Sequence, residues 1–133
     1  MERKIGDMIN EKTEDIIFKL KDIGSKAYFA NLTMPPEYVI DLITRDYLQC
    51  MTIYSESGSM ETFRNKIIWM KDIAKTRMPA REFKADLMDF SHALEEAVHA
   101  LVNQEAHIKE LFHDMRQVVE GVFKEETDHG SNL

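Results

Sequence analysis

The chain has 133 residues, 44% of them hydrophobic and 31% charged, and its formal net charge is −7. These values are typical of one globular domain and exclude a disordered chain. The acidic balance, without a basic stripe, argues against nucleic-acid binding. No stretch approaches the roughly 20 apolar residues of a membrane span, and the N-terminus lacks the apolar run of a signal peptide. We therefore expect a soluble, cytoplasmic, single domain over residues 1–133.

The first half of the chain shows helical periodicity interrupted by one aromatic segment. Apolar residues recur near the helical period of about 3.6 residues and predict a first helix from about Arg3 to Ile23. The short segment Ser25–Leu32 follows. A second long helix is expected to start within Thr33–Glu37, because proline is tolerated in the first helical turn, and to end near Tyr54.

A polar loop and a proline delimit the next element. The stretch Ser55–Ser59 is the clearest loop, and Ser59 is an N-cap candidate for a third helix. This helix is expected to end at Met78–Pro79, since a residue before proline is disfavoured in the helical region. Within it, Arg64, Lys66 and Trp69 alternate cations with an aromatic ring, a pattern interpreted as a solvated face.

Two apolar stripes close the chain. The first runs from Phe83 to Leu101 and the second from Ile108 to Phe123, with a break expected at Asn103–Gln104 and a frayed polar tail over 125–133. Because the stripes exceed what one face needs, we expect a homodimer paired through these helices. The whole pattern predicts an all-α bundle of five or six helices and no strand. The expected core is led by Ile16, Leu20, Ile43, Tyr47, Phe63, Ile67, Phe83, Leu87, Phe90, Leu94, Leu111 and Met115.

Two Glu-x-x-His motifs, Glu96–His99 and Glu110–His113, have the spacing found in ferritin-like di-metal proteins. On one continuous helix they would lie roughly 21 Å apart, too far to share a metal pair. A solvated face or a dimer contact is the competing interpretation. Phosphate-binding glycine loops, zinc-protease motifs and nucleophile elbows are missing from the sequence. We therefore expect a chain that is not an enzyme and holds no metal or cofactor.

Three segments together carry a resemblance to a known family: Met1–Ile5, Tyr28–Leu32 and Leu32–Glu37, followed by the long helices. Over roughly residues 3 to 125 the chain resembles the non-haem, globin-fold sensor domains of bacilli. Such domains are fused to sporulation histidine kinases or stand alone as virulence-plasmid-encoded inhibitors of sporulation.

The resemblance implies a globin-like homodimer, paired through its last helices, that binds a fatty-acid-like ligand and possibly chloride. It also implies a stand-alone copy that holds back sporulation by competing with a sensor histidine kinase for its signal. The histidines agree with a fold without haem, because all five lie after residue 91, whereas a haem globin needs a proximal histidine earlier.

A ligand pocket is expected between the second, third and fourth predicted helices. Its candidate wall residues are Tyr28, Phe29, Ile43, Tyr47, Phe63, Ile67, Met70, Phe83, Leu87 and Phe90. A buried carboxylate needs a donor, and the candidates for this anchor are Arg45, Arg64, Lys66 and His92. The alternative is a small helical protein–protein interaction module with a solid core and no ligand. An internal cavity would distinguish the two, and the nine methionines favour a deformable apolar interior.

Overall fold

The segments with helical periodicity form six α-helices in the part of the chain that the structure describes. The computed structural model describes the backbone of residues 4–23 and 36–131, and the side chains of residues 4–22 and 38–124. The helices are α1 (Ile5–Glu11), α2 (Thr13–Ile23), α3 (Pro36–Ser57), α4 (Glu61–Ala74), α5 (Ala80–Leu101) and α6 (Glu105–Ser131). Because these residues contain no strand, the predicted all-α class is confirmed for them.

The predicted first helix is interrupted at Lys12, where φ is −102° and ψ is 14°. The hydroxyl of Thr13 donates to the carbonyl oxygens of Ile9 at 3.2 Å and Asn10 at 3.0 Å. These carbonyls belong to the last turn of α1, and the Lys12 N–H also donates to that of Ile9 at 3.1 Å. The break allows α1 to pack mainly on α3 while α2 packs mainly on α5.

Helix α1 approaches α3 closely at Gly6. A Cβ atom at this position would lie 3.0 Å from the Cβ of Ser55 and 3.3 Å from the Cα of Thr52. The Gly6 N–H donates to Ser55 Oγ at 3.2 Å, and the Thr52 hydroxyl donates to the Gly6 carbonyl at 3.3 Å. Glycine is favoured here because an added Cβ would push the two helices apart by a few tenths of an ångström.

Helices α3 and α4 follow the predicted order, with shifted ends. Helix α3 begins at Pro36, as expected, and continues past Tyr54 to Ser57. Gly58 then adopts a φ of 73°, a conformation that glycine accepts without strain. Helix α4 ends at Ala74, before the predicted boundary, and residues 75–78 form a turn that leads to the proline.

The break between the last two helices lies at residues 102–104, as predicted, and α6 continues to Ser131, where a frayed tail was expected. Every member of the predicted core is buried. Most residues of both apolar stripes are buried within a single chain, and Leu101 and Val118 are half-buried. None of the large apolar side chains of α5, or of α6 up to residue 124, is exposed. Little of the apolar area on which the dimer prediction rested is therefore left uncovered in the described part of these helices, and the homodimer stays a prediction.

Candidate functional site

Helices α3 and α4 lie side by side and leave an apolar groove of about 240 Å³ that is partly open to solvent. Helix α5 contributes one residue, Phe83, to its lining. The pocket was expected between three helices, whereas this groove belongs mainly to two. It is lined by Val39, Leu42, Ile43, Asp46, Lys66, Trp69, Met70, Ile73, Ala74 and Phe83.

The lining residues recur on each helix at the spacing of one helical face. On α3 they occupy positions 39, 42, 43 and 46, and on α4 positions 66, 69, 70, 73 and 74. The short connection at Gly58–Met60 brings the second helix back along the first. Consequently Asp46 and Lys66 meet, with Nζ and Oδ1 3.7 Å apart, while Val39 and Ala74 belong to the apolar remainder. The groove thus has one polar end.

The ammonium group of Lys66 lies near both Asp46 and the ring of the exposed Trp69. Its Nζ lies 5.4 Å from the centroid of the Trp69 ring, within the range of a cation–π contact. The separation from Asp46 exceeds that of a direct hydrogen bond, and both side chains are partly solvated, so the ion pair contributes little stability. The ammonium group can therefore turn toward another anion at small cost.

Four of the predicted pocket residues border the groove. Ile43, Met70 and Phe83 form part of its wall, and Lys66, an anchor candidate, stands at its polar end. Five other predicted wall residues are buried outside the lining; they are Tyr47, Phe63, Ile67, Leu87 and Phe90. The remaining two, Tyr28 and Phe29, lie outside the described residues.

The other anchor candidates lie away from the groove lining. Arg45 donates to Glu14 at 2.7 Å and to Asp41 at 3.0 Å, joining α3 to α2. These hydrogen bonds raise the pKa of the Arg45 guanidinium, and the bond with Arg45 lowers the pKa of the Glu14 carboxyl. Arg64 and His92 are exposed on α4 and α5.

The core beneath the groove is filled by aromatic rings. Tyr47 contacts Phe63 and Phe90 edge to face, with ring centroids 5.0 and 5.2 Å apart. Its side chain is 1% exposed, and its hydroxyl finds no hydrogen-bond partner within residues 4–23 and 36–131. Burial raises the pKa of this phenol. This packing resembles the solid core of the alternative interpretation more than an internal tunnel.

The Glu-x-x-His spacing does not gather metal ligands in the structure. His99 Nε2 lies 3.4 Å from Glu95 Oε2. Arg116, on α6, forms an ion pair with the same carboxylate, with Nη2 and Oε1 2.8 Å apart. Glu96, the carboxylate of the motif, is exposed. Over the described residues, no three histidine, cysteine, aspartate or glutamate side chains are grouped as a metal site would require. The cluster instead joins α5 to α6.

Six residues of the groove lining were not among the predicted pocket and anchor residues; they are Val39, Leu42, Asp46, Trp69, Ile73 and Ala74. Leu42, Trp69 and Ile73 are 39%, 56% and 46% exposed, whereas the prediction looked for a pocket between three helices. Lys66 and Trp69 were interpreted as a solvated face but border the groove. The usable signal was the matching helical spacing of apolar residues on two successive helices, with Asp46 after the row on the first helix and Lys66 before the row on the second.

Comparisons with protein-family models, curated proteins and solved structures found no match to this chain. None of the helices in the described ranges combines the length and apolar character needed to cross a bilayer.

Proposed function

We propose that the chain is a sensor domain that binds a single-chain amphiphile, such as a fatty acid, in the groove between α3 and α4. The observation that carries the proposal is the polarity of the groove, which has apolar walls and, at one end, the cation Lys66 in a loose ion pair with Asp46. An acyl chain matches the walls, and its carboxylate matches the cation.

The size of the groove supports a medium-length acyl segment. An apolar cavity of roughly 150 Å³ accommodates benzene, and this groove has about 240 Å³. Each buried methylene contributes about 0.8 kcal/mol, so several of them supply useful affinity. The carboxylate stays at the solvated end and avoids the cost of burying an unpaired charge.

The wider role follows the resemblance in the sequence. In this proposal the chain acts in the cytoplasm as a globin-like domain without haem or another cofactor. By sequestering a ligand that a sporulation histidine kinase also senses, it holds back sporulation. Bound chloride is compatible with this role.

Titration of delipidated protein with saturated fatty acids, from decanoate to octadecanoate, tests the binding site directly. Trp69 is the single tryptophan and borders the groove, so its emission reports on occupancy. We expect a change in emission together with a rise in Tm. Leu42→Asp should abolish both effects because it places a carboxylate in the apolar wall, whereas Phe18→Asp, on the exposed side of α2, should leave them intact.

The anchor is tested separately. Lys66→Gln should weaken fatty-acid binding roughly tenfold, the scale of a lost charge-assisted hydrogen bond, and leave binding of the methyl ester unchanged. Lys75→Gln is the matched control, since Lys75 pairs with Asp72 outside the groove. Equal weakening of acid and ester by Lys66→Gln would contradict the assignment of Lys66 as anchor.

A second candidate function is favoured by the filled core around Tyr47 and by the exposure of Trp69. In this alternative the chain is a helical interaction module without a small ligand. If none of the fatty acids changes the Trp69 emission or the Tm, the sensor proposal fails and the interaction module becomes the better account.

A further inference from the structure

The exposed apolar side chains are concentrated on α3 and α4. Among the described residues, the large hydrophobic side chains that are exposed are Phe18, Tyr38, Leu42, Trp69 and Ile73. Leu42, Trp69 and Ile73 border the groove, and together with it they form what we call the groove face. Clustered exposed apolar groups mark interaction surfaces more often than single ones do.

We propose that two copies of this chain pair through the groove face, each inserting the indole of Trp69 into the groove of the other. A two-fold interface uses the same patch on both subunits, so the patch must carry both a projection and a recess. The groove face has both. Its volume of about 240 Å³ exceeds the roughly 150 Å³ that accommodates a benzene ring, so it is large enough for an indole.

The charges of the groove face favour a second copy over a strongly charged partner. The chain carries a net charge of −7, so two copies repel each other over most of their surfaces. The lining of the groove contains only two charged side chains, Asp46 and Lys66, and they have opposite signs. A two-fold axis can bring Lys66 of each copy to Asp46 of the other. Exchanging the loose ion pair within the chain for this contact costs little.

The terminal helices offer no comparable surface. Among the large apolar side chains of α5, and of α6 up to residue 124, Met88, Leu101 and Val118 are half-buried, the others are buried, and none is exposed. The groove face is small compared with the roughly 1,200–2,000 Å² of a stable interface, so the pairing is weak and depends on concentration. It goes beyond the proposed function and needs no fatty acid, although an acyl chain in the groove would exclude the indole.

Sedimentation equilibrium of delipidated protein tests the pairing. Wild-type protein should shift reversibly from the 15.5 kDa monomer to a dimer as its concentration rises, while Trp69 emission moves to shorter wavelength. Trp69→Ala should weaken dimerisation roughly thirtyfold, as expected for an interfacial tryptophan. Phe18→Ala removes a ring that is 77% exposed on α2 and should leave the dimerisation constant unchanged.

A charge exchange between two variants distinguishes contacts across the axis from contacts within a chain. In the proposed dimer, position 46 of one copy faces position 66 of the other. Asp46→Lys puts two lysines at this contact and Lys66→Asp puts two aspartates there, so each variant alone should dimerise less than the wild type. An equimolar mixture of the two variants should recover dimerisation, because in the mixed dimer the two lysines of one chain face the two aspartates of the other. Far-ultraviolet circular dichroism confirms that the variants remain helical.

Four results would overturn the proposal. The first is a monomer at every concentration, and the second is an undiminished dimer in Trp69→Ala, which would place the contact elsewhere. The third is an equal loss in Phe18→Ala, and the fourth is no recovery in the mixture. Because no fatty acid is present, failure of the proposed ligand binding would leave these outcomes unaffected.

Discussion

Replacing Tyr47 by phenylalanine should make the protein more stable. The Tyr47 hydroxyl is buried and has no hydrogen-bond partner in the described part of the chain. A buried polar group without a partner costs about 1–3 kcal/mol. The substitution removes this group while keeping the ring and its contacts with Phe63 and Phe90. The space left by one oxygen atom forfeits some dispersion energy, which places the expected gain near the lower limit.

We expect Tyr47→Phe to raise the free energy of unfolding by about 1 kcal/mol and the Tm by roughly 3 °C for a chain of this size. Urea denaturation followed by far-ultraviolet circular dichroism measures the first quantity, and the slope m should not change because the exposed area does not. Thermal denaturation measures the second.

Tyr54→Phe is the matched control, because it deletes the same atom from a phenol that has a partner. The Tyr54 hydroxyl donates to Asp114 Oδ2 at 3.3 Å, so its loss should lower the free energy of unfolding by about 0.5–1.5 kcal/mol. If Tyr47→Phe instead destabilises the protein as much as Tyr54→Phe does, the Tyr47 hydroxyl has a partner and the reasoning is refuted.

Three further predictions test packing and titration. Leu94→Ala should cost about 2–5 kcal/mol, because Leu94 is fully buried; a cost below about 1 kcal/mol in urea denaturation would mean that the core is loosely filled. Gly6→Ala should destabilise the protein by about 1–3 kcal/mol through its clash with Ser55, whereas Gly121→Ala, with no atom near its added Cβ, should stabilise it by about 0.5–1 kcal/mol; equal Tm shifts would contradict the close approach. Burial raises the pKa of the Cys50 thiol from 9.0 to about 11, so the unfolded chain releases its proton first and the free energy of unfolding should fall as the pH rises through this interval. Cys50→Ala should make that fall shallower, and an unchanged pH profile would count against the burial.

The helices were predictable because each carries its own periodic signal. Helix α3 starts within the predicted segment Thr33–Glu37, and the break at Asn103–Gln104 was visible without glycine or proline. The interruption at Lys12 was not, because it depends on a side-chain hydroxyl, that of Thr13, which competes for carbonyls that a continuous helix would use. Sequence periodicity does not record this competition.

The groove and the terminal stripes were harder to predict because burial depends on which helices become neighbours. Helix α5 packs against α2, α4 and α6, and α6 packs against α4 and α5. A helix with neighbours on several sides needs a wide apolar surface, so the width of a stripe does not by itself indicate a dimer. The same long-range arrangement leaves Trp69 exposed and covers Phe90, although both are large aromatic residues on predicted helices.

The short helix α1 should be among the first parts of the described fold to open. Its seven residues are too few to hold their backbone hydrogen bonds in isolation, and its main packing partner is α3. Amide protons of α1 can therefore exchange with solvent through local detachment, at a fraction of the free energy of global unfolding. Those in the middle of α5, which α2, α4 and α6 contact, exchange only when the whole domain unfolds.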